Sequence, residues 1–271
     1  MGLLNYLTFD GVRSSSFQVF ISGQGTFNAP ARRGELVTVP GRNGTLFMDD
    51  GTYENIEVSY PAFIGSGNID TFRDKLADLR SELTSRENYK RLTDTYHPDE
   101  FRLAIYRSGL DVSPAVYNRA GQFDIKFDCK PQRFLVSGET PVVFRQNGII
   151  HNPTLFYSKP LLKVVGSGKV KIEPYEFIIT ENDGVIYIDS ELFETHKLVH
   201  ILYDLTDEEI EIIKDERGLD IEVSKEATTE TMSRYVEFMN YEYPQIAPGD
   251  VPVLIAPSIE ELTIIPRWWR L

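Results

Sequence analysis

His196, His200 and Asp204 stand at intervals of four, the spacing at which a helix would offer two imidazoles and a carboxylate to one metal ion. The run Leu198-Val199-His200-Ile201-Leu202-Tyr203 reads equally as a strand, on which the same residues share a face but lie too far apart to chelate. Gly166-Ser167-Gly168-Lys169 shares glycines and a lysine with phosphate loops. A P-loop, however, needs G-x-x-x-x-G-K-[ST] between a strand and a helix, and here a strand pattern follows Lys169, so the segment reads as a hairpin turn. The only cysteine, Cys129, sits inside an alternating strand pattern; it excludes a disulfide framework or zinc cluster and reads as a buried, inert thiol. His97 precedes Pro98 in a turn, His151 lies in a Gly/Pro-punctuated stretch, and no G-x-S-x-G elbow is present. Carboxylates are too abundant for any one pair to point to acid–base chemistry. Trp268 and Trp269, beside Arg267 and Arg270, form the last candidate: aromatic faces with guanidinium groups suit a saccharide, although one tryptophan in the core and one sealing the sandwich end against Pro266 is the favoured explanation. The expectation is a chain with no catalytic residues, no metal site and no cofactor.

The elements that would position these residues are mostly strands. At 271 residues the chain can form two domains with substantial cores. Its formal net charge of −13 argues against a basic nucleic-acid-binding surface. No stretch approaches the roughly 18 apolar residues of a membrane span. The start, Met1-Gly2-Leu3-Leu4-Asn5-Tyr6, lacks a basic n-region and carries Tyr where a myristoylation motif has Ser/Thr. Synthesis and folding in a cytoplasm are expected.

Glu35 to Tyr60 reads as hairpins around Val39-Pro40-Gly41-Arg42-Asn43-Gly44, where Pro40 fixes φ and the glycines permit φ > 0; Asp49-Asp50-Gly51 reads as a second turn. Ile69, Phe72, Leu76, Leu79 and Leu83 follow helical spacing, with Arg73, Asp74, Asp78 and Arg80 facing water. Phe101–Tyr106 reads as a strand, and Gln122–Cys129 alternates polar and apolar as one with a buried and a wet face, ended by Pro131. Residues 137–153 read as a linker. Beyond them, Leu161–Val165 and Lys169–Ile172 are expected to pair as a hairpin, and so are Phe177–Thr180 and Val185–Ile188, the latter across Asp183-Gly184; such closely spaced strands suggest a β-sandwich. Thr206-Asp207-Glu208-Glu209 is a capping box expected to open a helix ending near Gly218. The thirteen acidic and four basic residues between Asp204 and Glu242 read as a solvated surface insertion at about 197–229.

Several motifs in order resemble the distal tail proteins of siphophages, the siphophage tail protein family. They are Val39–Gly44 with Tyr53-Glu54-Asn55-Ile56, the helix with Tyr89-Lys90-Arg91-Leu92, and Phe127–Arg133. In the second half they are Asn152-Pro153-Thr154, Ile186–Ser190, Tyr243–Gly249 and Ile265–Trp269. The resemblance implies a mainly β chain: an N-terminal β-barrel-like sheet with one α-helix (1–136, tail-tube-like), then a C-terminal galectin-like or carbohydrate-module-like β-sandwich (137–271). It further implies a virion protein of the tail tip, assembled as a homohexamer ring. That ring would join the tail-tube protein to the tail-tip hub or tail-associated lysin protein and carry receptor-binding or other baseplate proteins. No catalytic residues come with the family, and neither DNA binding nor membrane insertion is expected. The long acidic stretch and Asp250, where an Asn after Pro-Gly is common, depart from the family pattern. Pro40, Gly41, Arg42, Asn43 and Gly44 are the expected subunit or tube contact, with Arg42 meeting a carboxylate or backbone carbonyls. Arg267, Trp268 and Trp269 are the weaker candidate for a saccharide or partner contact, the basis of an alternative reading as a carbohydrate-binding module for cell-wall adsorption.

Overall fold

The computed structural model describes residues 4–115, 119–180, 185–198, 210–214, 220–224, 229–231, 236–239 and 242–271. The chain divides between Arg133 and Phe134 into two compact units.

The first unit contains β1 (Leu7–Phe9), β2 (Val12–Arg13), β3 (Val19–Ile21), β4 (Arg32–Thr38), β5 (Thr45–Tyr53) and β6 (Ile56–Gly65). Helix α1 (Ile69–Thr84) follows, then β7 (Lys90–Asp94), β8 (Glu100–Ile105), β9 (Ser113–Ala115) and β10 (Ala120–Cys129). Its main sheet is a curled half-barrel in the order β2-β1-β7-β8-β10-β6-β3, with β9 on β10. The β10–β6 ladder sets Phe127 opposite Val58 and Ile125 opposite Tyr60, so alternation delivers all four to one core. Helix α1 starts where the Asn68 side chain accepts the Thr71 N–H at 2.8 Å, and it buries Phe72, Leu76, Leu79 and Leu83 in that core. Ile69, at the first helical position, is 52% exposed and stands off the stripe it was grouped with. Asp94 organises the turn after β7: it accepts from the Tyr60 hydroxyl at 2.9 Å and from the Tyr96 and His97 amides at 2.9 and 3.0 Å. His97 places Nδ1 3.0 Å from the same carboxylate. Burial pushes the Cys129 thiol up to about 12, as an inert core sulfur requires.

Strand β11 (Arg133–Leu135) spans the division. The second unit holds β12 (Val142–Phe144), β13 (Gly148–Asn152), β14 (Leu161–Gly166), β15 (Gly168–Ile172), β16 (Tyr175–Ile179), β17 (Val185–Asp189) and β18 (Glu194–Leu198). After them come β19 (Ile210–Lys214), β20 (Asp220–Ser224), β21 (Thr229–Thr231), β22 (Val236–Phe238), β23 (Gly249–Ile255), β24 (Ile259–Ile265) and β25 (Trp269–Arg270). Two antiparallel sheets, β12-β24-β14-β17-β18-β21 and β13-β23-β15-β16-β22, enclose one hydrophobic core. That is a β-sandwich.

Four sequence expectations change here. Residues 137–153 are no linker, since β12 and β13 lie in that stretch. Neither expected hairpin forms: β14 pairs with β17 and β24, while β15 pairs with β16 and β23, so Gly166–Gly168 is a corner between the two sheets. Gly166 has φ +97, and a Cβ there would sit 2.5 Å from the Ser258 carbonyl oxygen, which is why the corner needs glycine. Likewise β16 and β17 belong to different sheets; residues 181–184 between them lie outside the described residues. Finally, 210–214 is strand rather than helix, pairing with β20 from Ile210↔Ser224 to Lys214↔Asp220; β-branched runs on both sides outweigh the capping box. The capping box, Gly218, His200 and Asp204 lie outside the described residues. His196, on β18, sets Nε2 3.0 Å from Glu194.

Candidate assembly surface

Among the described residues, strands β4 and β5 pair only with each other and form a separate two-stranded sheet. Their tip follows directly from sequence. Pro40 and Gly41 are the central residues of a turn closed by the Arg42 N–H to the Val39 carbonyl at 3.1 Å, and Gly41 has φ +80, the combination of a type II turn. Gly44, φ +79, redirects the chain into β5. Asp49-Asp50-Gly51 does not close a second hairpin. It is a bulge inside β5: the register passes from Gly34↔Asp49 to Arg32↔Tyr53, and the Asp49 carboxylate accepts the Gly51 N–H at 2.9 Å. Arg32 braces the bulge, 2.7 Å from Asp49, with its guanidinium over the Tyr53 ring.

Pro40, Gly41, Arg42, Asn43 and Gly44 are all exposed, and among the described residues the Arg42 and Asn43 side chains make no hydrogen bond or ion pair. Sequence reasoning missed the hairpin's apolar load. Leu36 is 66%, Leu46 44%, Phe47 43% and Met48 56% exposed. Leu36 pairs with Phe47 on one face, while Val37–Leu46 and Glu35–Met48 share the other. The signal was legible: Leu46-Phe47-Met48 breaks strand alternation, so both faces become apolar. A lone two-stranded hairpin is marginal in water, and this one exposes leucine, phenylalanine and methionine across its two faces.

The second candidate set lies in the sandwich. The Arg267 guanidinium meets both Asp189 oxygens at 2.8 Å, each residue buried, with Arg267 at φ +57. Asp189 also accepts the Glu191 and Leu192 amides, so the pair holds the turn after β17. Trp268 is 5% exposed within the core cluster. Trp269 stacks on Phe156 at 4.4 Å and donates its indole N–H to the Tyr157 carbonyl at 2.9 Å. Arg267 and Trp268 thus have packing roles, and no open aromatic platform forms from the three. Among the described residues no group of His, Cys, Asp and Glu is arranged to hold a metal ion, and no helix is long and apolar enough to cross a membrane.

Residues 12–129 match the family described as phage tail protein RIFT-related domain. That match covers most of the first domain and less than half of the chain. Over the whole chain the fold is similar to that of SPP1 Dit (gp 19.1), described as a paradigm of the hub adsorption apparatus in phages infecting Gram-positive bacteria. The TM-score is 0.71 at 11% identity, covering 99% of this chain and 100% of that one. A chain of the phage P2 baseplate, in its activated conformation with Ca, aligns with a TM-score of 0.50 at 10% identity, over 97% and 98% of the two chains. A search of curated protein sequences finds no match. The half-barrel domain and the sandwich together therefore share the fold of SPP1 Dit.

Proposed function

We propose that this chain is a structural component of a siphophage tail tip, hence of the virion. In this reading it forms a homohexameric ring that joins the tail tube to the tail-tip hub protein and carries baseplate or receptor-binding proteins on its second domain. The observation that carries the reading is the β4–β5 hairpin, an exposed two-stranded arm whose apolar faces need a partner surface. Arg42 and Asn43 at its tip then contact a neighbouring subunit or the tube, with the free guanidinium meeting a carboxylate or backbone carbonyls. The net charge of −13 suits a wall around a DNA conduit that must not bind DNA. The saccharide-binding alternative draws less support, because Arg267 and Trp268 are buried and the Trp269 ring is stacked on Phe156. The test is Arg42→Ala with Asn43→Ala, assayed for ring formation by negative-stain imaging and for tail joining by complementation. Loss of either supports the contact; unchanged assembly and joining would remove it.

A further inference from the structure

The sequence contains two Asn-Gly pairs, and the fold treats them oppositely. Asn43-Gly44 lies in the bend between β4 and β5, outside the ladder, whose last pair is Thr38↔Thr45. Both residues are exposed, and among the described residues neither the Asn43 side chain nor the Gly44 N–H makes a hydrogen bond. A Cβ added to Gly44 would meet open space. Asn147-Gly148 instead opens β13. The Asn147 Oδ1 accepts the Ile255 N–H at 2.9 Å, Gly148 is paired with Val253, and the Phe144 ring lies 2.7 Å from where a Gly148 Cβ would be.

We propose that Asn43 is a site of spontaneous deamidation, which turns its amide into a carboxylate. The Gly44 backbone nitrogen attacks the Asn43 Cγ, and glycine suits this step because no side chain crowds the nitrogen. An N–Cγ bond forms, the Cγ–Nδ2 bond breaks, and Nδ2 leaves as ammonia with the Gly44 amide proton. Water then opens the cyclic imide at one of its C–N bonds, giving aspartate or isoaspartate, with no electron transferred. At Asn147 the same reaction requires the bond to Ile255 to break and the β13–β23 ladder to loosen, a local opening that keeps the reactive state rare. At the tip, the new negative charge stands beside Arg42, whose guanidinium makes no ion pair among the described residues. On the reading that this tip contacts a neighbouring subunit or the tube, the carboxylate competes with the partner's acceptor for Arg42. Chain held unassembled then loses joining capacity with time.

Peptide mapping by mass spectrometry tests the proposal on the folded full chain, held at mildly alkaline pH and kept dilute so that assembly does not cover the tip. Asn43 should convert more than about tenfold faster than Asn147, and the two rates should converge to within about threefold in denaturant, where neither is held. Asn43→Gln, whose longer side chain disfavours ring closure, should leave the tip peptide unmodified. Conversion at Asn43 no faster than at Asn147 in the folded chain would overturn the proposal. The effect on assembly is read separately: Asn43→Asp should join tails about two- to fivefold less well than the native chain. Normal joining by Asn43→Asp beside rapid conversion of Asn43 would uphold the modification and remove the tip contact instead.

Discussion

Replacing Leu36 and Phe47 together with alanine should dismantle the assembly while leaving the fold intact. The two side chains face each other across the β4–β5 ladder and are 66% and 43% exposed, so neither belongs to a core. Full burial of such a side chain contributes about 1.5–3 kcal/mol. Scaled by the fractions still exposed, covering the pair by a partner is worth about 1–2 kcal/mol for Leu36 and about 0.6–1.3 kcal/mol for Phe47. Each contact should then weaken about 15- to 250-fold. Sedimentation across a concentration series, with the tail-joining assay beside it, reads this directly. The melting temperature should move by no more than about 2 °C, as for a surface change. Unchanged oligomer population together with unchanged tail joining would refute the argument that the hairpin's apolar faces are covered in the virion.

Three further outcomes follow from the packing. Gly34→Ala would place a Cβ 2.4 Å from the Met48 carbonyl oxygen and 2.6 Å from the Phe47 ring; the hairpin should open, read as lost amide protection in β4 and β5 without change in the main sheet. Asp189→Asn or Arg267→Met breaks a buried bidentate pair and should destabilise the sandwich by about 3–5 kcal/mol in denaturant melts, with the first domain unaffected. Cys129 should resist thiol reagents at pH 8 until the chain is unfolded. With its folded pKa at about 12, above the unfolded value near ~8.5, its contribution to stability is full below that lower value. It is lost progressively as pH rises toward 12, a slope that Cys129→Ser should remove and that pH-dependent melts would detect.

Local chemistry made much of the fold readable. The helical stripe Phe72-Leu76-Leu79-Leu83, the alternating Gln122–Cys129 strand and the Pro40-Gly41 turn are each dictated by neighbours in sequence. Strand partners across the sandwich were not readable. Gly166-Ser167-Gly168 and Asp183-Gly184 carry the residue types of hairpins, yet the strands they join enter opposite sheets, a choice made by which faces bury Val164, Val170, Ile179 and Ile186. The two short strands at 142–152 were hidden by Gly148 and Pro153, which punctuate without separating domains. At the assembly surface, the tip residues stood out by turn chemistry. The apolar strands behind them left a weaker signal, the broken alternation at Leu46-Phe47-Met48, and their exposure depends on what fails to pack against them.

The most direct test of the assembly reading is the particle formed by the purified chain, measured by light scattering with negative-stain imaging over a concentration series. The reading predicts particles of six subunits, or back-to-back pairs of such rings, each built from the 31.0 kDa chain around an axial hole. A strict 31.0 kDa monomer at every concentration, with purified tail tubes unable to nucleate a ring, would contradict it.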